Sequence, residues 1–474
     1  MSAFEKYQHI KKTFSIYSKM IRQALAGTDQ DFTSMRLGEA IFLLSVPMVL
    51  EMVMESVFAI ADIFFVAKLG SDAVAAVGLT ESMMTVVYAL AVGFSAGTTA
   101  MVSRRIGEKN QEGASRAAAQ AILAGVILST ILAVPGLFYS YDLLRLMGAS
   151  HELAAANHGY TRIMFAGNMV IMLLFIINAA FRSAGDAALS MRVLLIANGV
   201  NIVLDPLLIF GLGPVPALGI EGAAIATNIG RGLAVLFQFY ILFRGTMRIQ
   251  LSVSHFLPDF KLLATLTRLS VGGILQNIIA TASWIVLIRI VSLFGSSAVA
   301  GYTIAIRIVI FALLPSWGLS NAAATLVGQN LGAGKPDRAS RSAWITGFAN
   351  MIMMGLFSAV FVAFPETFIR LFISEPNVVE LGVRCLQIVS LGFVFYAMGM
   401  VMSQSLNGAG DTYTPTLLNF ICFWLIEIPL AWFLAIRSGF GYNGVFYAIV
   451  LAETTLTLLG MYIFSKGNWK RKKV

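Results

Sequence analysis

The chain has 474 residues, 58% of them hydrophobic and 12% charged, with a net charge of +9 and two cysteines. That balance lies outside the range of soluble domains, so the excess of positive charge is expected on a face turned toward anionic headgroups and not toward nucleic acid. The two cysteines, Cys385 and Cys422, both fall in apolar stretches, which excludes a disulfide framework or a cysteine-based metal cluster.

Residues 1–36 are mixed and charged, with no apolar segment bounded by a cleavage-like site, and read as a cytoplasmic N-terminal arm. Beyond them lie twelve apolar stretches, each able to cross a hydrocarbon core of about 30 Å as a helix. They are 37–67, 75–103, 117–139, 160–181, 188–211, 219–243, 263–293, 298–326, 342–364, 380–405, 414–436 and 442–465. Lipid offers no water to backbone groups, so helices are the default, and the alternation of a β-barrel is absent. Most of the 33 Lys and Arg fall in 1–36, 104–116, 182–192, 244–268, 329–341 and the residues after Ser465. By the positive-inside bias both termini are cytoplasmic, as an even number of spans requires, and the cytoplasmic (inner) membrane is the expected location.

The chain repeats itself. VSRRIGEKNQEGASRAAAQ (102–120) matches VGQNLGAGKPDRASRSAWI (327–345) at an offset of 225, which also places Gly70-Ser71 on Gly295-Ser296. RSAGD and NGAGD fall close to the same register, with Asp186 and Asp411 expected as helix caps. Each half then holds six helices in the same orientation, related by an axis along the membrane normal. The expected organisation is an arm (1–36), an N-lobe (37–243), a cytoplasmic inter-lobe loop (244–262), a C-lobe (263–465) and a basic cytoplasmic tail (466–474). The fold class is therefore an all-α integral membrane protein with twelve transmembrane helices in two pseudo-symmetric lobes.

Ionisable residues at membrane depth are costly and mark pathways. At 100° per residue, Glu51, Glu55 and Asp62 of the first helix fall within about 40° of one another, and Asn198, Asn201 and Asp205 of the fifth within about 60°. The second half is poorer in acid: Asp62 maps to Leu287 and Asp205 to Ile428, beside Glu427, while the seventh helix offers Gln276 and Asn277. Carboxylates with amide and hydroxyl oxygens suit a hard cation such as Na⁺, and a carboxylate in an apolar wall can also carry a proton. Pro206 frees a carbonyl in the fifth helix and Pro47 does the same in the first, so both are candidate hinges. Buried Asn and Asp that only tie helices together are the competing reading, especially for Asn198.

The end of the first helix (AIADIFFVAKLG, 59–70), NIVLDPLLIFG (201–211) and GIEGAAIATNIGR (219–231), taken in order with the repeat, resemble the multidrug and toxic compound extrusion (MATE) family. The resemblance implies a secondary antiporter that exports organic cations or amphipathic compounds in exchange for Na⁺ or H⁺. It also implies that Asp62, Asn201, Asp205 and Thr227 carry the coupling cation. Another branch of that family uses acids in helices seven and ten. Those helices here present Gln276, Asn277 and Tyr396, so a second ion site in the C-lobe is not expected.

Glu51 and Glu55 are either further relay groups or buried pairs with a partner on helix two. Met83, Trp284, Gln276, Asn277 and Tyr396, with Met84, Trp317, Phe393, Phe395, Met398 and Met402, are candidates for a permissive substrate cleft. No cofactor beyond the coupling ion, no metal beyond Na⁺, and no nucleic-acid partner are expected; membrane lipids and a small organic substrate are, with the protein acting as a monomer. A lipid-linked saccharide flippase is the nearest alternative, kept open by Arg289 and Arg307. A membrane enzyme is remote, since His9, His151, His158 and His255 lie in the arm or loops without a ligand pattern.

Overall fold

The computed structural model describes residues 18–27, 30–211, 213–245 and 247–474. The remainder of the expected arm, His9 included, lies outside the described residues. After a helical segment at 18–26 come α1 (Leu37–Ala67), α2 (Ser71–Gly107), α3 (Gln111–Leu146), α4 (His151–Ala184), α5 (Ala187–Phe210) and α6 (Gly219–Arg244). The second half holds α7 (Phe260–Val291), α8 (Ser296–Gly332), α9 (Pro336–Ala363), α10 (Pro376–Leu391 with Phe393–Gly408), α11 (Tyr413–Arg437) and α12 (Tyr442–Lys466). Among the described residues there is no strand. Ten of these helices are long and apolar enough to cross a membrane, and α10, bent by 54°, makes an eleventh if its halves form one span. The twelfth is α1, 31 residues long and carrying the three acids of the first stripe.

The helices run several residues beyond the apolar stretches because the polar loop residues themselves are helical. Asn110, for example, caps α3 by accepting a hydrogen bond from the Gly113 amide at 2.8 Å. Of the two expected caps, Asp186 sits at the start of α5 without a capping bond to the first-turn amides. Asp411 accepts from the Thr414 hydroxyl at 2.9 Å and pairs with Lys472 at 3.3 Å. Pro47 and Pro206 lie inside uninterrupted helices. The breaks fall elsewhere, at Gly167 in α4, at Gly392 in α10 and at Tyr139 in α3, where φ is −124°.

One apolar core fills α2–α6 and a second fills α8–α12. Large apolar side chains left on the outside, such as Ile127, Ile131 and Phe138 of α3 or Leu451, Leu458 and Tyr462 of α12, face where lipid would lie. The two lobes meet through small residues. A Cβ on Gly107 would overlap the Gln329 carbonyl, and one on Gly332 would overlap the Arg104 carbonyl. Residues 107 and 332, like 104 and 329, are related by the offset of 225, so this is one contact made twice about a pseudo-twofold axis. The same relation holds deeper in the bundle: Gly318 of α8 abuts Met48 of α1, and Gly93 of α2 abuts Gly273 of α7. Side chains add to it, with Gln329 Nε2 donating to the Ser183 carbonyl at 2.8 Å and Arg104 Nη2 to the Ala409 carbonyl at 3.4 Å.

Both terminal segments lie across this junction at the basic end of the bundle. In the tail, Trp469 is buried against Phe464, with ring centroids 4.5 Å apart. From there Arg104 of the N-lobe donates to the Lys472 carbonyl at 2.8 Å. At the other terminus, Lys335 donates to the Thr33 carbonyl at 2.8 Å and Arg338 to the Phe32 carbonyl at 3.0 Å, while Arg248 reaches the Gln30 carbonyl at 2.7 Å. Partial burial works against a charged Asp31, but hydrogen bonds from Thr33 and the charges of Lys109 and Lys335 outweigh it and hold the carboxyl below its ordinary value of 3.8. A depressed value in the folded state means the stabilisation is present above 3.8 and is lost as the pH falls through the lower value, so Asp31 stays charged through the neutral range.

Because the lobes close through hydrogen-only surfaces, Gly107→Leu or Gly332→Leu is expected to force them apart at the basic end. Spin labels at the exposed positions Arg116 and Arg341 check this: each substitution should lengthen and broaden the distance distribution and cost roughly 1–3 kcal/mol of stability by overpacking.

Candidate functional site

The acidic stripe of α1 meets two arginines, Arg182 of α4 and Arg231 of α6. Glu51 is 2% exposed, forms an ion pair with Arg182 of α4 and accepts from the Ser190 hydroxyl at 3.0 Å. Glu55 lies 3.4 Å from Arg231 of α6. Arg231 in turn donates to the Tyr88 phenol at 3.2 Å and sits 5.2 Å over the Phe58 ring. The partners are thus on helices four and six, not on helix two as the alternative had it. The Glu51 carboxylate, held by a guanidinium and a hydroxyl, is a fixed charge pair, while Glu55 is half-buried and keeps Oε2 without a hydrogen-bond partner.

Farther along the stripe the compensation stops. Asp205 on α5 is fully buried and makes no ion pair among the described residues. Asn201 Nδ2, one turn earlier, donates to Asp205 Oδ1 at 3.3 Å and to Thr227 Oγ1 of α6 at 3.2 Å. Its donors are spent in that fork, which leaves Asn201 Oδ1 and Asp205 Oδ2 buried without a partner. Asp62, near the far end of α1, is close enough for its charge to act on Asp205, and Glu81 of α2 and Arg231 act on Asp62. Local sequence explains the closeness of α5 and α6: at Gly230 a Cβ would stand only 2.8 Å from the Ala197 carbonyl and 3.2 Å from the Asn201 Cβ. That approach sets Thr227, one turn before Gly230, beside Asn201.

Asn201, Asp205 and Thr227 are joined by hydrogen bonds, and Asp62 lies within electrostatic range of Asp205 without a contact to the three. The Asp205 carboxyl, the Asn201 amide oxygen and the Thr227 hydroxyl are hard oxygens, and two of the oxygens, Asp205 Oδ2 and Asn201 Oδ1, have no partner. Among the described residues no group of three or more His, Cys, Asp or Glu is arranged for a metal ion. Asn198 has a different part: it donates to the Met54 carbonyl at 3.3 Å and ties α5 to α1.

The candidate cleft residues do not form one surface. Tyr396 is 5% exposed and lies in the C-lobe core with Phe393, while Met398 and Met402 are buried in a neighbouring cluster and Met84 is buried in the N-lobe. Aromatic and sulfur side chains on facing helices fill those interiors, which is the commoner use of such residues. Gln276 exchanges hydrogen bonds with Asn407 at 3.0 and 3.1 Å and donates to the Thr412 carbonyl at 3.1 Å, clamping α7 to the turn after α10. Met83, Asn277 and Trp284 are half-buried. Glu81 of α2 and Arg307 of α8 are exposed and within each other's field, so a carboxylate absent from the sequence-derived candidates sits opposite a cationic side chain of the other lobe. A charged residue in the middle of an apolar stretch was the available signal for Glu81.

Two repeated six-helix lobes with a polar group of uncompensated acids in one of them define a multi-pass membrane transporter. The MatE family pattern matches residues 47–207 and 273–433, one copy in each half, and the chain belongs to that family. It is 27% identical over 435 residues to the probable multidrug resistance protein YoeA of Bacillus subtilis, covering 90% of this chain and 93% of that one. It is also 27% identical over 431 residues to an FAD transporter of Shewanella oneidensis, covering 90% and 94%. Its fold matches an outward-facing conformation of a multidrug resistance MATE family transporter with a TM-score of 0.87 and 25% identity, over 93% of this chain and 98% of that one. The protein is a transporter and not an enzyme.

The fixed pair and the open pair can be told apart by stability. Glu51→Ala strands the Arg182 guanidinium and is expected to cost about 3–5 kcal/mol, a loss that Glu51→Ala with Arg182→Met together largely recovers. Thermal unfolding in detergent measures both.

Proposed function

We propose that this protein is a secondary antiporter of the cytoplasmic (inner) membrane, with both termini in the cytoplasm, that exports small organic cations or amphipathic compounds in exchange for Na⁺ or H⁺ by alternating access. The observation that carries the reading is Asp205: fully buried, without a counter-ion, and with Oδ2 unpartnered beside the equally unpartnered Asn201 Oδ1. A buried carboxylate in that state is neutralised by whatever cation reaches it. Binding of Na⁺ or H⁺ by Asp205 and Asp62 then removes the negative charge that a cationic substrate would need.

Competition of this kind moves the machine only if ion and substrate favour different conformers. With the basic end cytoplasmic, the glycine-lined closure between the lobes shuts the inner side, so the state at hand accepts ions from outside. Opening inward requires Gly107 and Gly332 to part from the carbonyls they face, and both terminal segments to let go. Pro47 and Pro206, with no amide to donate, mark the places where α1 and α5 change shape most cheaply. The rigid bodies are the N-lobe (37–243) and the C-lobe (263–465), linked by 244–262. Relatives named for multidrug resistance and for FAD transport support a scaffold that accepts varied cargo.

The test is efflux of a fluorescent organic cation from proteoliposomes under an imposed Na⁺ gradient or an imposed pH gradient. One gradient is expected to drive transport, and Asp205→Asn and Asp62→Asn should each cut the driven rate at least tenfold while Asn198→Ala retains it. Equal rates for Asp205→Asn and the parent under both gradients would sink the coupling assignment.

A further inference from the structure

The segment that joins the lobes is clasped to the side of α3. Gln120, a buried amide inside an apolar stretch, donates from Nε2 to the His255 and Leu257 carbonyls, both at 2.8 Å, and accepts from the Asp259 amide at 3.0 Å. Ser115, also of α3, accepts from the Gln250 amide at 3.0 Å. His255 is buried and accepts from the Ser252 amide through Nδ1 at 3.2 Å, which leaves Nε2–H to meet Glu112 at 2.9 Å. Phe256 packs on Phe243 of α6, with ring centroids 6.3 Å apart. These bonds fix what the segment turns outward: Val253, Leu257 and Phe260 are 83%, 72% and 81% exposed. Three large apolar side chains held in the open on a fixed backbone mark a surface that something covers.

Their level in the membrane says what. Arg116 stands one residue before the apolar stretch of α3, and Lys261 two residues before that of α7, both at the basic end of the bundle. Headgroups lie at that level. A pocket of about 410 Å³ opens there, and its lining includes Arg116, Gln120, His255, Leu257, Phe260 and Lys261. Arg116 and Lys261 are exposed and make no ion pair among the described residues, and the same holds for Arg244 at the end of α6 and Arg268, two turns beyond Lys261 on one face of α7. The acids nearby have other work. Asp259, which also lines the pocket, caps α7 by accepting from the Lys261 and Leu262 amides at 3.0 and 3.1 Å, and Glu112 holds His255.

We propose that this pocket binds the headgroup of an anionic phospholipid, with its phosphate between Arg116 and Lys261 and its acyl chains along Val253, Leu257 and Phe260. A free phosphate would satisfy the cations and leave the three apolar side chains in water, whereas a zwitterionic lipid would cover them and bring a further positive charge toward Arg116 and Lys261. An anionic lipid meets both demands. Arg116 belongs to the first lobe and Lys261 to the opening turn of α7, so one headgroup held by both tethers the two lobes. The clamp is not repeated in the second half: at the offset of 225, Arg116 falls on Arg341 but Gln120 falls on Ile345. Arg341 is thus a matched control, an exposed cation without the clamp. The lipid site stands whether or not the antiport reading holds.

Native mass spectrometry of the purified full-length protein, titrated with phosphatidylglycerol or with phosphatidylcholine, tests it. Phosphatidylglycerol is expected to bind more tightly, and Arg116→Ala with Lys261→Ala to weaken its first binding step roughly tenfold or more while leaving phosphatidylcholine unchanged. Arg341→Ala should bind as the parent does, and Leu257→Ser with Phe260→Ser should weaken both lipids. Equal binding of the two lipids by the parent overturns the proposal, as does phosphatidylglycerol binding that survives the double alanine variant. Displacement of the lipid by millimolar inorganic phosphate would mark a site for free anions, and a protein dimer that forms on this face and excludes lipid would mark a subunit contact; either result rejects the lipid. If the alanine variant melts lower than the parent in lipid-free detergent, Arg116→Gln with Lys261→Gln decides by the same measurement.

Discussion

The structure depends on how closely two lobes can approach when the residues between them have no side chain. Membrane helices gain little from excluding lipid, so their association rests on close van der Waals contact and on polar bonds made possible by that contact. Gly107 against the Gln329 carbonyl and Gly332 against the Arg104 carbonyl supply it at the basic end, and Gly93 with Gly318 supply it deeper in. The terminal segments add polar bonds to the shut form, reaching from Arg104 to the tail and from Lys335 and Arg338 to residues 32 and 33.

Charge is divided by the same economy of contact. Where a guanidinium reaches a carboxylate, as Arg182 reaches Glu51 and Arg231 reaches Glu55, the charges are fixed and serve the architecture. No cation reaches Asp205 in one lobe or Glu427 in the other, and each keeps an unpartnered oxygen, as Glu55 does beside its long contact with Arg231. A buried acid without a counter-ion is costly to keep charged. The two lobes share a scaffold but place these acids differently, on α1 and α5 in the first half and on α11 in the second.

Much of this was legible before any coordinates. Apolar length, the 225-residue repeat and the motifs around Asp62, Asp205 and Thr227 point to twelve helices in two lobes and to a transporter family. The partners of Glu51 and Glu55 were not legible, because a residue on α4 or α6 reaches α1 only through the packing of the lobe. Aromatic and methionine residues misled for a related reason: Tyr396 and Met398 have the chemistry of a binding cleft, and burial alone places them in the interior.

The sequence by itself determined the helices, their number per lobe, their repeat and the face on which the polar residues of α1 and α5 fall, because each of these comes from local periodicity and from the cost of exposing backbone to lipid. Only the tertiary structure decided which acids are neutralised and which are not. Pairing of charges depends on distances between side chains of different helices, and a shift of a few ångströms there separates a fixed ion pair from a site that waits for a cation.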